Sequence, residues 1–506
     1  MVMFIKLFHS IKSNGLKNII IINLIYIKIN ILIYKYSKKI SNLWLKKLNK
    51  MDNPKLILNF DINKTLILGD KIQSQSLESS LLALICEEPI GIIDENKNEW
   101  IRVEDNLFKE NPNDELYSYS EFLRKKLPKK NQNEIPDKET RVKYNNDIKK
   151  KRRELTDKFT DKNSPGEYFH NNINQILENL KISEELKNDI NNGKYPECFK
   201  EIYSNGYFFI FKSFFKSIIK LKEKNRDFSI IFRSFGGDIL DLINEFNEFC
   251  KGNHPIYNKK ENMEKVYFDG THNSKNYLLT KSQYGIIYRY SKELKDIFLV
   301  IGATEIIKPK PNNIYEAYKN EIKDNNVIII EGGMNIYNYL IEKFTLGNFN
   351  SFAIHDDYKI WNEHDELKEY SKPFLINPYN RKIHQIFFDD NITYKKKSIV
   401  DCRNIITGQS ISDHLIKDKY IVKSNIGALV DDYYFFNKIC NAEKKREKDF
   451  ENKTNNINEK KNRLNEIIND ALNAYSDTIK ENDNISFTDF ISNFIYVNKL
   501  YIDEGK

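Results

Sequence analysis

An apolar run that stops on a carboxylate constrains this chain more than any other feature. Leu56, Ile57, Leu58 and Phe60, interrupted only by Asn59, read as a mostly buried β-strand, and Asp61 stands where the strand stops. Open α/β sheets keep their chemistry at such strand ends. Two later stretches repeat the arrangement. Phe211, Phe214, Phe215, Ile218 and Leu221 recur at helix spacing, Asn225-Arg226 turns the chain, and the run Phe228 to Phe232 closes on Arg233-Ser234-Phe235-Gly236-Gly237. Asp238 then opens a helix whose apolar face is Ile239, Leu242, Ile243, Phe246 and Cys250. Further on, Gln385-Ile386-Phe387-Phe388 is a strand that ends in paired carboxylates, Asp389 and Asp390, before Asn391.

The string Asp61-Ile62-Asn63-Lys64-Thr65 resembles the first motif of the haloacid dehalogenase superfamily of phosphatases and phosphotransferases, Asp-x-Asp-x-Thr after a hydrophobic strand, with an amide at Asn63 where the second acid is usual. Ser234 at its strand end resembles the second motif, and Asp389-Asp390 the acidic fourth. For the third motif, a lysine, Lys372 in YSKPFLIN is the first choice; Lys359 and Lys308, the latter in KPKPNN, stay open. Ser351-Phe352-Ala353-Ile354-His355-Asp356-Asp357 is a rival acidic strand end, set second because His355 interrupts it and because the family's acidic motif comes last.

The resemblance implies an α/β fold with a doubly wound, mainly parallel Rossmann-like sheet, helices on both faces, and a helical cap insertion. On that reading residues 51–94 and 201–435 are the core, 95–200 the cap and 436–506 a C-terminal helical region. It further implies a Mg²⁺-dependent phosphohydrolase. Asp61 would attack phosphorus, and the ion would be held by Asp61, Asp389 and the backbone carbonyl of Asn63, with Asp390 binding it through water or orienting Asp389. Thr65, Ser234 and the lysine would stabilise the phosphoryl charge, and Gly236 and Gly237 would let backbone N–H groups approach the anion. An amide at position 63 cannot protonate a leaving group. The alternative is therefore a weak or inactive scaffold of the same fold that binds a phosphorylated ligand or a protein partner.

The formal net charge of +8 invites a nucleic-acid partner, but residues 1–50 contain ten lysines and no acid, and the remainder holds 70 basic against 72 acidic residues. No basic and aromatic stripe elsewhere asks for a polyanion, and nucleic acid is set aside; the resemblance implies a small phosphorylated substrate as the partner. Residues 19–34 are apolar enough to resemble a signal anchor, with Lys28 interrupting them. Three readings of residues 1–50 stand: translated upstream sequence before a start at Met51, which gives a cytoplasmic protein; a membrane anchor; or an organellar presequence, for which arginine is lacking. Five cysteines far apart, with no Cys-x-x-Cys pair, argue against a zinc site and a disulfide framework. His272, among polar residues, reads as a surface histidine. Residues 256–307 carry strand-like pieces that belong either to a second insertion or to the sheet. Residues 441–480 form a charged helical stretch that either packs on the core or serves as a partner-binding arm.

Overall fold

β1 (Lys55–Asp61) lies inside the sheet, as its apolar composition requires: every residue from Leu56 to Asp61 is buried. The computed structural model describes residues 53–69, 76–104, 107, 115–257, 267–393 and 398–452. Its large compact unit runs from Leu56 to Asn380 and resumes at His384. The expectations for residues 1–50, for Met51 and for the chain past 452 fall outside the described residues; within them, no helix is long and apolar enough to cross a membrane.

After β1 the helix Leu77–Ile85 forms with Ser76 as its N-cap, as the leucine spacing predicts. It packs chiefly on the helices Lys138–Asp157 and His170–Leu180, which belong to the insertion. The insertion is not wholly helical. β2 (Ile90–Asp94), β3 (Glu99–Arg102) and β4 (Tyr117–Ser118) make a small antiparallel sheet in the order β3-β2-β4 ahead of its helices. Of the four residues of β3 only Trp100 is buried, its indole donating to the Tyr117 carbonyl at 2.8 Å, so the period-two signal is too short to read from sequence. The polar helix Lys138–Asp157 buries only Arg141 and Ile148. Ion pairs to the loop at 363–366 hold this region: Arg141–Asp365 at 3.1 Å, Lys129–Glu366 at 2.6 Å and Lys149–Glu366 at 3.2 Å.

The remaining strands in chain order are β5 (Phe228–Ser234), β6 (Tyr284–Arg289), β7 (Ile297–Ile301), β8 (Ile328–Glu331), β9 (Ser351–His355), β10 (Lys372–Ile376), β11 (Ile383–Asp389), β12 (Val400–Asn404) and β13 (Ile421–Lys423). The central sheet has the order β13-β11-β1-β5-β9-β6-β7-β8. It is mainly parallel, with β7 antiparallel to both neighbours. The strand-like pieces at 256–307 are thus strands of this sheet. β10 and β12 pair apart from it as a two-stranded parallel sheet.

Leu56, Leu58 and Phe60 face the helices Lys212–Glu223, Ile239–Cys250 and 434–452, with Phe60 between the rings of Phe214, Phe388 and Phe435. The C-terminal stretch through 452 therefore packs on the core. The alternate residues, Ile57 and Asn59, face the helix Gly333–Leu346 and β10. From β1 the chain adds β5, then β6 to β8, and then β9 between β5 and β6, all on one side, and later adds β11 and β13 on the other. The order of addition reverses at β1, so the ends of β1 and β11 flank a topological switch point, where an α/β sheet leaves a crevice.

Candidate functional site

Asp61 ends β1, Asp389 ends the neighbouring β11, and Asp390 follows it; one carboxylate oxygen from each lies within 4.8 Å of the others. Strand parity explains the meeting. Asp61 has the phase of Ile57 and Asn59, and Asp389 that of Gln385, so both project toward the face over which β10 lies. β10 begins at Lys372, whose fully buried ammonium donates to Asp61 Oδ1 and, at 2.9 Å, to Asp389 Oδ2. Of the three candidate lysines only this one reaches the carboxylates. Lys359 is exposed, its nearest ion-pair partner being Glu363 at 3.9 Å, and Lys308 is exposed.

One ammonium does not neutralise three carboxyl groups. Burial, then the Asp389 carboxylate, hold the Asp61 carboxyl well above the usual aspartate range against the pull of Lys372. Burial and Asp389 likewise push Asp390 up to about 7. Burial alone would lower Lys372, but Asp389 and Asp61 outweigh it and keep the ammonium charged. Two buried carboxylates and a half-buried third, an all-oxygen donor set with surplus negative charge, have the chemistry that could hold a hard divalent cation.

Asn63 lies two residues past Asp61. Its Nδ2 donates to the Gly69 carbonyl at 3.0 Å and to Asp238 Oδ2 at 2.9 Å, and its Oδ1 accepts from Ser234 Oγ at 3.3 Å. The motif-like segments of β1 and β5 are thereby joined. The Gly236 N–H turns back onto Ser234 Oγ at 2.8 Å and does not point outward, while Gly237 is exposed. A Cβ at 236 would stand in ordinary contact, 3.4 Å from each of Asn63 Oδ1, Asp238 Oδ2 and Ser234 Oγ, whereas one at 237 would meet open space. Thr65 is buried, and its hydroxyl accepts the Asp390 N–H at 3.1 Å, so it orients the acidic pair from below.

The rival acids do not join the cluster. His355 is the last residue of β9 and does not interrupt it; the strand simply feeds a different role. Asp356 is bound by Arg233 through Nε at 2.8 Å and Nη2 at 2.6 Å. Asp357 caps the helix Tyr358–Glu363 and pairs with Lys310 at 2.8 Å. His272 is exposed and stacks on Tyr267, as a surface histidine would.

Three residues of this neighbourhood are absent from the sequence-based set. Arg233 also donates to the Pro373 carbonyl at 3.2 Å, and Arg289 to the Ser371 carbonyl at 2.5 Å, so two buried guanidiniums hold the peptides on either side of Lys372. Each arginine sits in an otherwise apolar strand, which is the signal that marks them in sequence. Asp238 reads from sequence only as the start of a helix. The chain matches no family model, no curated protein and no solved structure.

Proposed function

We propose that this chain is a Mg²⁺-dependent phosphohydrolase of haloacid dehalogenase type, acting on a small phosphomonoester through an aspartyl-phosphate at Asp61. The observation that carries this reading is the meeting of Asp61, Lys372, Asp389 and Asp390 at neighbouring strand ends beside the switch point of a mainly parallel sheet. Asp61, Asp389, Asp390 and the Asn63 backbone carbonyl would hold Mg²⁺, which when bound offsets the charge of phosphate and carboxylates.

An Asp61 oxygen forms a bond to phosphorus while the ester P–O bond breaks, its electron pair leaving with the ester oxygen. Lys372 holds Asp61 in place by its hydrogen bond and adds positive charge beside the transferring group. Water then attacks the aspartyl-phosphate at phosphorus, the bond to Asp61 breaks, and phosphate departs with the carboxylate restored. Residues 95–200, to whose small sheet β2 (Ile90–Asp94) is added, would supply the cap that sets substrate choice. Five free cysteines fit a reducing, cytoplasmic setting.

One observation favours a second reading, a fold of this type kept for binding. Asn63 is an amide, with both sides of its head group engaged, and general acid catalysis is worth about 10² to 10⁴ in rate. Hydrolysis of p-nitrophenyl phosphate, whose leaving group needs little protonation, separates the two. Activity lost on adding EDTA and in Asp61→Asn supports the phosphohydrolase. No activity above the variant in folded protein, with no trapping of beryllofluoride at Asp61, refutes it and leaves the binding scaffold.

A further inference from the structure

We propose that Asp238 is a positioning residue for Asn63, fixing the orientation of the amide that stands where the first motif usually carries its second acid. The inference rests on the phosphohydrolase reading and deepens it. Asp238 lies 175 residues from Asn63 in sequence, is buried to 1% exposure, and accepts an Asn63 amide hydrogen at 2.9 Å.

Although Asp238 stands at the N-cap of the helix Ile239–Cys250, its side chain makes no capping hydrogen bond, the use a first-turn aspartate most often has. The carboxylate instead turns toward the first motif. A second acceptor, the Gly69 carbonyl, faces the same amide nitrogen. Two groups that can only accept fix which end of the amide is which, since exchanging oxygen and nitrogen would set acceptor against acceptor twice. Oδ1 is therefore committed to the Ser234 side, beside Gly236, where three oxygens converge on one point. Asp238 and the Gly69 carbonyl together thus fix the orientation of the Asn63 head group.

This geometry explains why the familiar acid does not fit at position 63 in this chain. Asn63→Asp alone places a carboxylate against the Asp238 carboxylate and the Gly69 carbonyl. Exchanging both side chains, Asn63→Asp with Asp238→Asn, restores one donor–acceptor pair in the opposite sense and leaves only the Gly69 contact unmatched. The two substitutions should therefore be strongly non-additive.

The experiment is a double-mutant cycle over wild type, Asn63→Asp, Asp238→Asn and the exchanged pair. It reads kcat and KM for p-nitrophenyl phosphate with Mg²⁺, and urea midpoints on the same proteins. Asn63→Asp is expected to lower kcat about 10-fold or more with little change in KM, and the exchanged pair to recover most of that loss. With phenyl phosphate, a poorer leaving group, the exchanged pair should exceed wild type, because a carboxyl group now stands where an amide cannot give a proton. Additive effects on kcat, or an Asn63→Asp variant that gains activity alone, overturn the inference while leaving the phosphohydrolase reading intact. Wild-type protein without Mg²⁺-dependent activity overturns both.

Discussion

Asp61→Asn should make the metal-free protein more stable, which is unusual for a buried residue in an ion pair. The cluster oxygens lie within 4.8 Å of one another, and at that separation two unit charges repel by roughly 3.5 kcal/mol at an effective dielectric of about 20. An ionised Asp61 meets two such neighbours. Its contact with the Lys372 ammonium, much closer, returns about as much as the two repulsions together on the same scale. The charges alone therefore roughly cancel, and burial tips the balance against the ionised form. The sign agrees with the raised pKa of Asp61, caused first by burial and then by Asp389. A carboxyl whose folded pKa lies above its unfolded value subtracts stability once the pH exceeds the unfolded value near 4. The amide introduced at position 61 would keep an oxygen for Lys372, and Lys372 would keep Asp389. Urea unfolding in EDTA at pH 7.5 should show the variant more stable by about 1–3 kcal/mol. Saturating Mg²⁺ should narrow or reverse the gap, since a cation bound only by the folded state stabilises wild type more. A variant less stable than wild type by about 1 kcal/mol or more in EDTA would refute the reasoning, because Asp61–Lys372 would then be a net structural bond.

Other consequences follow from the same packing. His384 is fully buried, with Nε2 on the Lys419 carbonyl at 2.7 Å, and burial together with Arg446 pushes its pKa down to about 3 from an ordinary 6.5. The unfolded chain takes up a proton that the folded chain refuses, so stability present above pH 6.5 falls by up to about 1.4 kcal/mol per unit on the way toward 3; His384→Gln should flatten this slope between pH 6.5 and 5, and an unchanged slope counts against the assignment. Glu366→Gln removes the negative charge shared by Lys129 and Lys149 and should cost about 1.5–3 kcal/mol at pH 7. Burial would raise the Glu366 pKa, but the two lysines outweigh it and set it at about 2, so the deficit should vanish as pH falls from 4.5 toward 2, measured by urea midpoints against wild type. Phe60→Ala opens a hole among Phe214, Phe388 and Phe435, whose ring centroids lie 5.0 to 5.3 Å away, and should lose about 3–5 kcal/mol; a loss below 1 kcal/mol would mean the core collapses to fill it.

The strands that carry Asp61, Ser234 and Asp389 were legible because each is a near-continuous apolar run, and a strand covered on both faces announces itself locally. Helices such as Lys212–Glu223 and Ile239–Cys250 were legible for the same reason, their buried residues recurring at the helical period. β2 to β4 were hidden because each offers too few buried residues to mark a period. The lysine had three candidates in sequence, since an ammonium shows no preference until something stands opposite it.

By itself, then, the sequence determined which short runs become strands and which polar groups end them, because burial of neighbouring side chains leaves a periodic mark in the chain. Only the tertiary structure decided which of those ends meet. β10 crosses beside β1 and β11 to bring Lys372 between two carboxylates, and Asn63 finds Asp238 across 175 residues of chain. Those pairings depend on strand order and on the hydrogen-bonding sense of single atoms. Neither leaves a local mark, because the partner that gives each group its role lies elsewhere in the chain.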